Sequence, residues 1–269
     1  MVLIIIISSI FIKHKQQNLT ISIIYLNFIC FLFLPLIAIS SRGALLGLIL
    51  FWIIENLNEA NYFKLNKKII MILIIGNFLI FSFSSLRISN IGADQVNNAE
   101  VLTISDLSLV VSDIANEKKT QDVFLSIYFS EGRVFSTDPT TNWRLDIWQD
   151  VLEDLNNKDR LIIGYGYGEI IPVMTDPSAP GRLGRDGLNE NVHNYFVTIL
   201  ARGGIINLLF FVVLHYQIIK ALLASDLGRS TFSIVVPCLF ISSLDITMDG
   251  VQFPFIYYFF IGYFSSKKD

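Results

Sequence analysis

Long apolar runs separated by short polar breaks set the pattern of the chain. A helix crossing the hydrocarbon core needs about 20 mostly apolar residues, and residues 19–39 form a clean run of that kind. The break Ser40-Ser41-Arg42 follows, then a shorter run over 43–54. Residues 69–86 and 205–223 predict two more spans, and 230–246 and 251–264 a final pair joined by Thr247-Met248-Asp249-Gly250, its second member again short. The expectation is an all-α polytopic membrane protein with about six transmembrane helices. Residues 2–12 are apolar too, yet as a helix they reach only about 16 Å, too short to cross. Lys13, His14 and Lys15 follow that stretch, whereas a signal peptide places its positive charges first. The segment reads as the tail of a helix whose beginning is missing, so the chain is expected to be an N-terminally truncated, C-terminal part of a larger membrane protein.

More than a hundred residues, richer in polar side chains than the spans, separate the third and fourth spans, too many for a loop without a fold of its own. Three blocks follow: 1–86 with the partial helix and three spans, 87–204 as a large, mostly helical loop domain, and 205–269 with three C-terminal spans. Within the loop, Val101, Leu102, Ser105, Leu109 and Ile114 recur at roughly helical spacing over 97–119. After Pro139, Thr140-Thr141-Asn142 predicts a helix start, and Trp148, Val151, Leu152 and Leu155 share one face of the helix over 143–155. Arg144, four residues before Trp148, lies on the same side. Gly164-Tyr165-Gly166-Tyr167-Gly168 predicts a tight turn, and 177–187 a Pro/Gly-rich loop carrying Arg182 and Arg185. A third helix is expected to begin near Asn189 or Asn191, carry His193, Asn194 and Tyr195, and run to Arg202, where Gly203-Gly204 lead into the next span.

Composition narrows the class. Hydrophobic residues make up 53%, charged residues only 16%, and mean hydropathy is +0.57; soluble domains carry roughly 25% charged residues, so an ordinary cytosolic enzyme is excluded. The net charge of -3 argues against a nucleic-acid partner. Cys30 and Cys238 stand alone in apolar runs and read as packing residues. Basic residues fall in alternate connections: Lys13 and Lys15, then Lys64, Lys67 and Lys68, then Lys220 and Arg229, then Lys267 and Lys268. The positive-inside rule makes those connections cytoplasmic and puts Arg42, the loop domain and the 245–250 turn on the outer side. The 87–204 block holds 10 basic and 17 acidic residues, net -7, against 10 and 6 elsewhere, net +4.

His193 is then the one histidine on the outer side, His14 being cytoplasmic and His215 inside a span. Imidazole, with an ordinary pKa near 6.5, accepts a proton from a hydroxyl near neutral pH, although a histidine beside apolar residues is more often structural. Arg42 sits where charge at membrane depth is costly and marks function by default, with an interface anchor as the plainer reading. Arg144, Arg182, Arg185 and Arg202 could equally be solvated or paired charges, and Tyr165, Tyr167 and Trp148 could stack on sugar rings or simply pack. Together, arginines, one imidazole and aromatic rings beside lipid suit a reaction on a lipid-linked phosphate, since guanidinium binds phosphate oxygens bidentately. No D-x-D motif is present to place a metal on a pyrophosphate, and no G-x-G-x-x-G or Gly-Lys-Ser/Thr phosphate loop occurs at the glycine turn; arginines would take the metal's place.

Ser41-Arg42-Gly43-Ala44-Leu45-Leu46 opening a span, Arg144-Leu145-Asp146-Ile147-Trp148, the 164–168 turn, His193-Asn194-Tyr195 and Leu200-Ala201-Arg202-Gly203-Gly204-Ile205 follow one another in this order. This succession resembles the O-antigen ligase and polymerase superfamily of bacterial membrane glycosyltransferases. The resemblance implies a GT-C-like, metal-independent enzyme without a cofactor, in the inner membrane, with its active site facing the periplasm. It would move a glycan from undecaprenyl pyrophosphate to an acceptor sugar hydroxyl in lipopolysaccharide or surface-polysaccharide synthesis: lipid A core for a ligase, another carrier-linked repeat for a polymerase. It implies pyrophosphate contacts for Arg42 and Arg144 and a base or acceptor-positioning role for His193, with Arg182, Arg185, Arg202, Tyr165 and Tyr167 as secondary substrate contacts. A glycolipid transporter would place ionisable residues near the midplane and repeat its halves; here His215 is the main charge-bearing exception within the spans. An inactive fragment of the enzyme is the other alternative.

Overall fold

A computed structural model describes residues 1–16, 18–96, 126–179, 181–183, 187–245 and 247–266. Arg185 and the helical spacing expected over 97–119 lie outside the described residues. The described helices are α1 (Val2–Lys15), α2 (Leu19–Ser40), α3 (Arg42–Asn58), α4 (Ala60–Leu65), α5 (Lys67–Val96), α6 (Pro139–Asn157), α7 (Tyr195–Leu223), α8 (Ser230–Leu244) and α9 (Gln252–Ser265). A two-stranded antiparallel hairpin, β1 (Tyr128–Ser130) and β2 (Arg133–Phe135), precedes α6.

All six apolar runs are helical, and they differ in length. Among the described residues three helices are long and apolar enough to cross a membrane: α2, the Lys67–Arg87 part of α5, and α7. The other three, α3, α8 and α9, have 17, 15 and 14 residues, hence about 21–26 Å, less than the hydrocarbon thickness of about 30 Å.

The chain forms two compact units. One comprises Met1–Ile91, His193–Phe196 and Leu208–Asp269. At its centre α3 packs on α1, α2 and α8, burying Leu48 and Phe51 with Ile6, Ile10, Ile234, Cys238 and Ile241. Close approach of α3 and α8 depends on Gly43 and Gly47: a Cβ at Gly47 would lie 2.2 Å from Ile241 Cγ1, and one at Gly43 3.2 Å from Leu244 Cβ. This is small-xxx-small packing, which stands in for the hydrophobic drive that lipid does not supply between helices. Polar bonds lock the same unit. The buried Asn27 carboxamide oxygen accepts from Trp52 Nε1 of α3 and from Asn77 Nδ2 of α5, each at 2.9 Å, while its own Nδ2 donates to Ile23 O. Lys13 Nζ pairs with Glu55 and Glu59, each at 2.8 Å, tying α1 to the end of α3.

The other unit comprises Gly92–Val192 and Val197–Asn207. The hairpin turns through Glu131 and Gly132, both at positive φ, as a two-residue turn that follows strand twist requires. Asp138 caps α6, its carboxylate accepting from the Thr141 N–H at 2.8 Å, and Pro139 occupies the first turn, where its missing N–H costs nothing. Ile147, Val151 and Leu155, one face at a spacing of four, are buried against Ile171, Met174, Val192 and Ala201. Gln149 binds both the N–H and the carbonyl of Val134, at 2.6 and 2.9 Å, so its amide continues the hairpin's edge onto α6. The third helix of the loop begins at Tyr195, not near Asn189 or Asn191. The cause is local: His193 has φ +54°, outside the right-handed helical region, and Asn194 Oδ1 accepts from Phe196 N at 3.0 Å in the manner of a helix cap.

Candidate functional site

Two of the glycine-bearing motifs form one joint. Gly204 interrupts α7 with φ +65° and ψ -166°, a region open essentially to glycine alone. The break releases backbone groups that would otherwise bond within the helix, and residues 161–166 take them up. Tyr165 N donates to Ala201 O and Gly166 N to Arg202 O, both at 2.8 Å; Ile205 N donates to Leu161 O at 2.9 Å and Ile206 N to Ile162 O at 3.3 Å. The approach leaves no room for side chains. A Cβ at Gly204 would stand 2.1 Å from Ile162 O, and one at Gly164 2.6 Å from Ala201 O.

Arg202 closes the joint, donating from Nη1 to Gly166 O at 3.4 Å and to Glu169 O. Tyr165 is half-buried; its hydroxyl donates to Asp154, and Lys158 Nζ lies 5.8 Å from its ring centre. Burial, with the Asp154 carboxylate adding to it, pushes this phenol well above the ordinary tyrosine range. Tyr167 is 72% exposed, and its hydroxyl accepts from the Asn207 amide. Arg202, Tyr165 and Tyr167 therefore come together at the break in α7.

Arg182 lies elsewhere in this unit. Its side chain is buried, with Nη1 donating to Val173 O at 3.1 Å and Nη2 donating to Asp146 Oδ2 at 2.6 Å and to Asp150. Arg133 of β2 approaches the same carboxylates, at 3.0 Å from Asp146 Oδ1 and 2.6 Å from Asp150 Oδ1. Burial alone would lower the pKa of Arg182; Asp150 and Asp146 outweigh it and hold the guanidinium above its ordinary value. Arg133 is raised too, chiefly by its hydrogen bond to Asp150. Two carboxylates between two arginines thus fasten both the hairpin and the Pro/Gly-rich loop to α6. Of this cluster the sequence marks Arg182, among the other arginines of the loop, but not Arg133 or Asp150, for which the one available signal is the i, i+4 spacing of Asp146 and Asp150.

The three principal candidates each stand at or near a helix start. Arg42 is the exposed first residue of α3, whose preceding Ser41 hydroxyl accepts from Ala44 N at 3.2 Å. Arg144 is half-buried in the second turn of α6. His193, also half-buried, stands two residues before α7. Trp148, of the same motif as Arg144, donates its indole N–H to Val192 O at 2.6 Å, so the residue directly ahead of His193 is pinned to α6. Arg42 and His193 belong to the helical unit and Arg144 to the other. Among the described residues no three His, Cys, Asp or Glu side chains gather as a metal site would.

A family model described as O-antigen ligase matches residues 26–212, well over half of the 269 residues. The matched stretch includes Arg42, Arg144, Tyr165, Tyr167, Arg182, His193 and Arg202. No curated protein and no solved structure matches the chain. The chain accordingly belongs to the O-antigen ligase family, a membership that implies glycosyltransferase-type chemistry on lipid-linked glycans.

Proposed function

We propose that the protein transfers a glycan from undecaprenyl pyrophosphate to an acceptor sugar hydroxyl at the periplasmic face of the bacterial inner membrane. The family match over residues 26–212 carries this reading. The proposed acceptor is the lipid A core, making the protein a ligase. A carrier-linked repeat as acceptor would make the same chemistry a polymerisation.

In the proposed reaction His193 removes the acceptor hydroxyl's proton, and the oxygen attacks the anomeric carbon. The bond from that carbon to the pyrophosphate oxygen breaks, its electron pair leaving with the pyrophosphate, so the anomeric centre inverts. Arg42 and Arg144 stabilise the charge that develops there, in place of a metal ion. Support for Arg42 comes from its setting at the start of α3, where unsatisfied backbone N–H groups and the helix dipole also favour an anion. Support for His193 comes from its backbone: a residue held at positive φ beside a pinned Val192 presents its ring from a turn and not from a helix face.

Replacing His193 by Ala in the membrane-embedded protein tests the reading by a glycan-transfer assay. Activity should fall at least about 10²-fold, the usual effect of losing a group that acts in the transition state. Unchanged transfer at normal expression would remove His193 from the mechanism. Arg42→Lys should also lose most activity, because an ammonium cannot make the forked contact.

A further inference from the structure

Beside α3, α4 and α5 the helical unit carries an open groove of about 750 Å³. Ile53 and Leu57 line one wall and Met71 and Ile74 the other; all four are exposed. Lys64, at the end of α4, and Lys67, at the start of α5, line the same groove. Among the described residues neither lysine has an ion-pair partner, and nearby Glu59 is held by Lys13. From Lys67 to Ile75 the apolar wall of α5 rises about 12 Å. A lipid acyl chain fits such a trough, and two uncompensated ammonium groups at one end call for a phosphate.

We propose that this groove binds an anionic diacyl phospholipid, with an acyl chain along α5 and the headgroup phosphate on Lys64 and Lys67. Charge complementarity selects the occupant: a zwitterionic lipid fills the trough equally well but carries an ammonium group of its own toward the lysines, whereas an anionic headgroup answers both charges. Each cationic side chain near a membrane surface favours an anionic lipid roughly fivefold, so the pair should give a preference of more than about tenfold. The inference is independent of the catalytic reading and of which leaflet the lysines face.

Native mass spectrometry of the full chain, released from detergent with phosphatidylglycerol or phosphatidylcholine of identical acyl chains, tests it. One phosphatidylglycerol should be retained in preference to phosphatidylcholine. The exposed double substitution K64Q/K67Q should abolish the preference without changing helix content, and Ile74→Trp, which fills the trough, should reduce retention of both lipids. Equal retention of the two lipids by the unaltered chain, a preference that survives K64Q/K67Q, stronger retention of undecaprenyl phosphate than of phosphatidylglycerol, or a lipid-free dimer would each overturn the assignment.

Discussion

Arg182 illustrates how a charged side chain changes meaning once its neighbours are known. Its guanidinium is nearly inaccessible and shared between Asp146 and Asp150, so we assign it a positioning role for the 177–187 loop. Arg182→Ala would leave those partly exposed carboxylates to Arg133 alone and the Val173 carbonyl without its donor, and should destabilise this unit by about 1–2 kcal/mol. Tryptophan fluorescence during thermal unfolding reads the effect, since Trp143 and Trp148 both lie on α6. Trp148→Phe should keep the fold within about 1 kcal/mol, the usual worth of one hydrogen bond, yet lower transfer activity by releasing Val192 beside His193. Residue chemistry was legible in the sequence: arginines, His193 and tyrosines are visible as letters. Their partners were not, because Asp146 and Arg182 are 36 positions apart and only the return of the loop brings them together.

The joint between residues 161–166 and the break in α7 makes a sharp claim about glycines. Gly164→Ala and Gly204→Ala place a methyl group against backbone at 2.6 and 2.1 Å in conformations that alone cost a non-glycine residue about 1–3 kcal/mol. Both should abolish folded protein in expression trials or lower its melting temperature severely. Gly168→Ala, where an added Cβ meets nothing within 4 Å, should change stability by less than about 0.5 kcal/mol; equal damage at all three positions would refute the joint. The sequence showed a tight turn at 164–168 and a break at 203–204, because glycine announces both. It could not show that one completes the other, since periodicity reports neighbours along a helix and not a backbone exchange across forty residues. Strands of three residues, as in the hairpin, likewise carry too few positions for an alternating pattern to register.

Hydropathy located the apolar helices among the described residues, three of which are long enough to cross a bilayer on their own. Apolar runs measure burial in any greasy setting, whether lipid or protein; α3 illustrates the second, with Leu48 and Phe51 enclosed by its neighbours. The Gly43-xxx-Gly47 face was present in the letters, and its partner Ile241 had to come from the fold. Gly47→Leu should therefore separate α3 from α8 and cost about 3 kcal/mol through overpacking, seen as a lower melting temperature in detergent. Asn27→Leu should cost about 1–2 kcal/mol, the upper range for polar contacts between helices in lipid. That asparagine also sets a timetable. Its oxygen serves Trp52 and Asn77, which leave the ribosome in that order, so the partner on α3 is available before the one on α5, and the second lone pair is left for α5 to dock on when it is made.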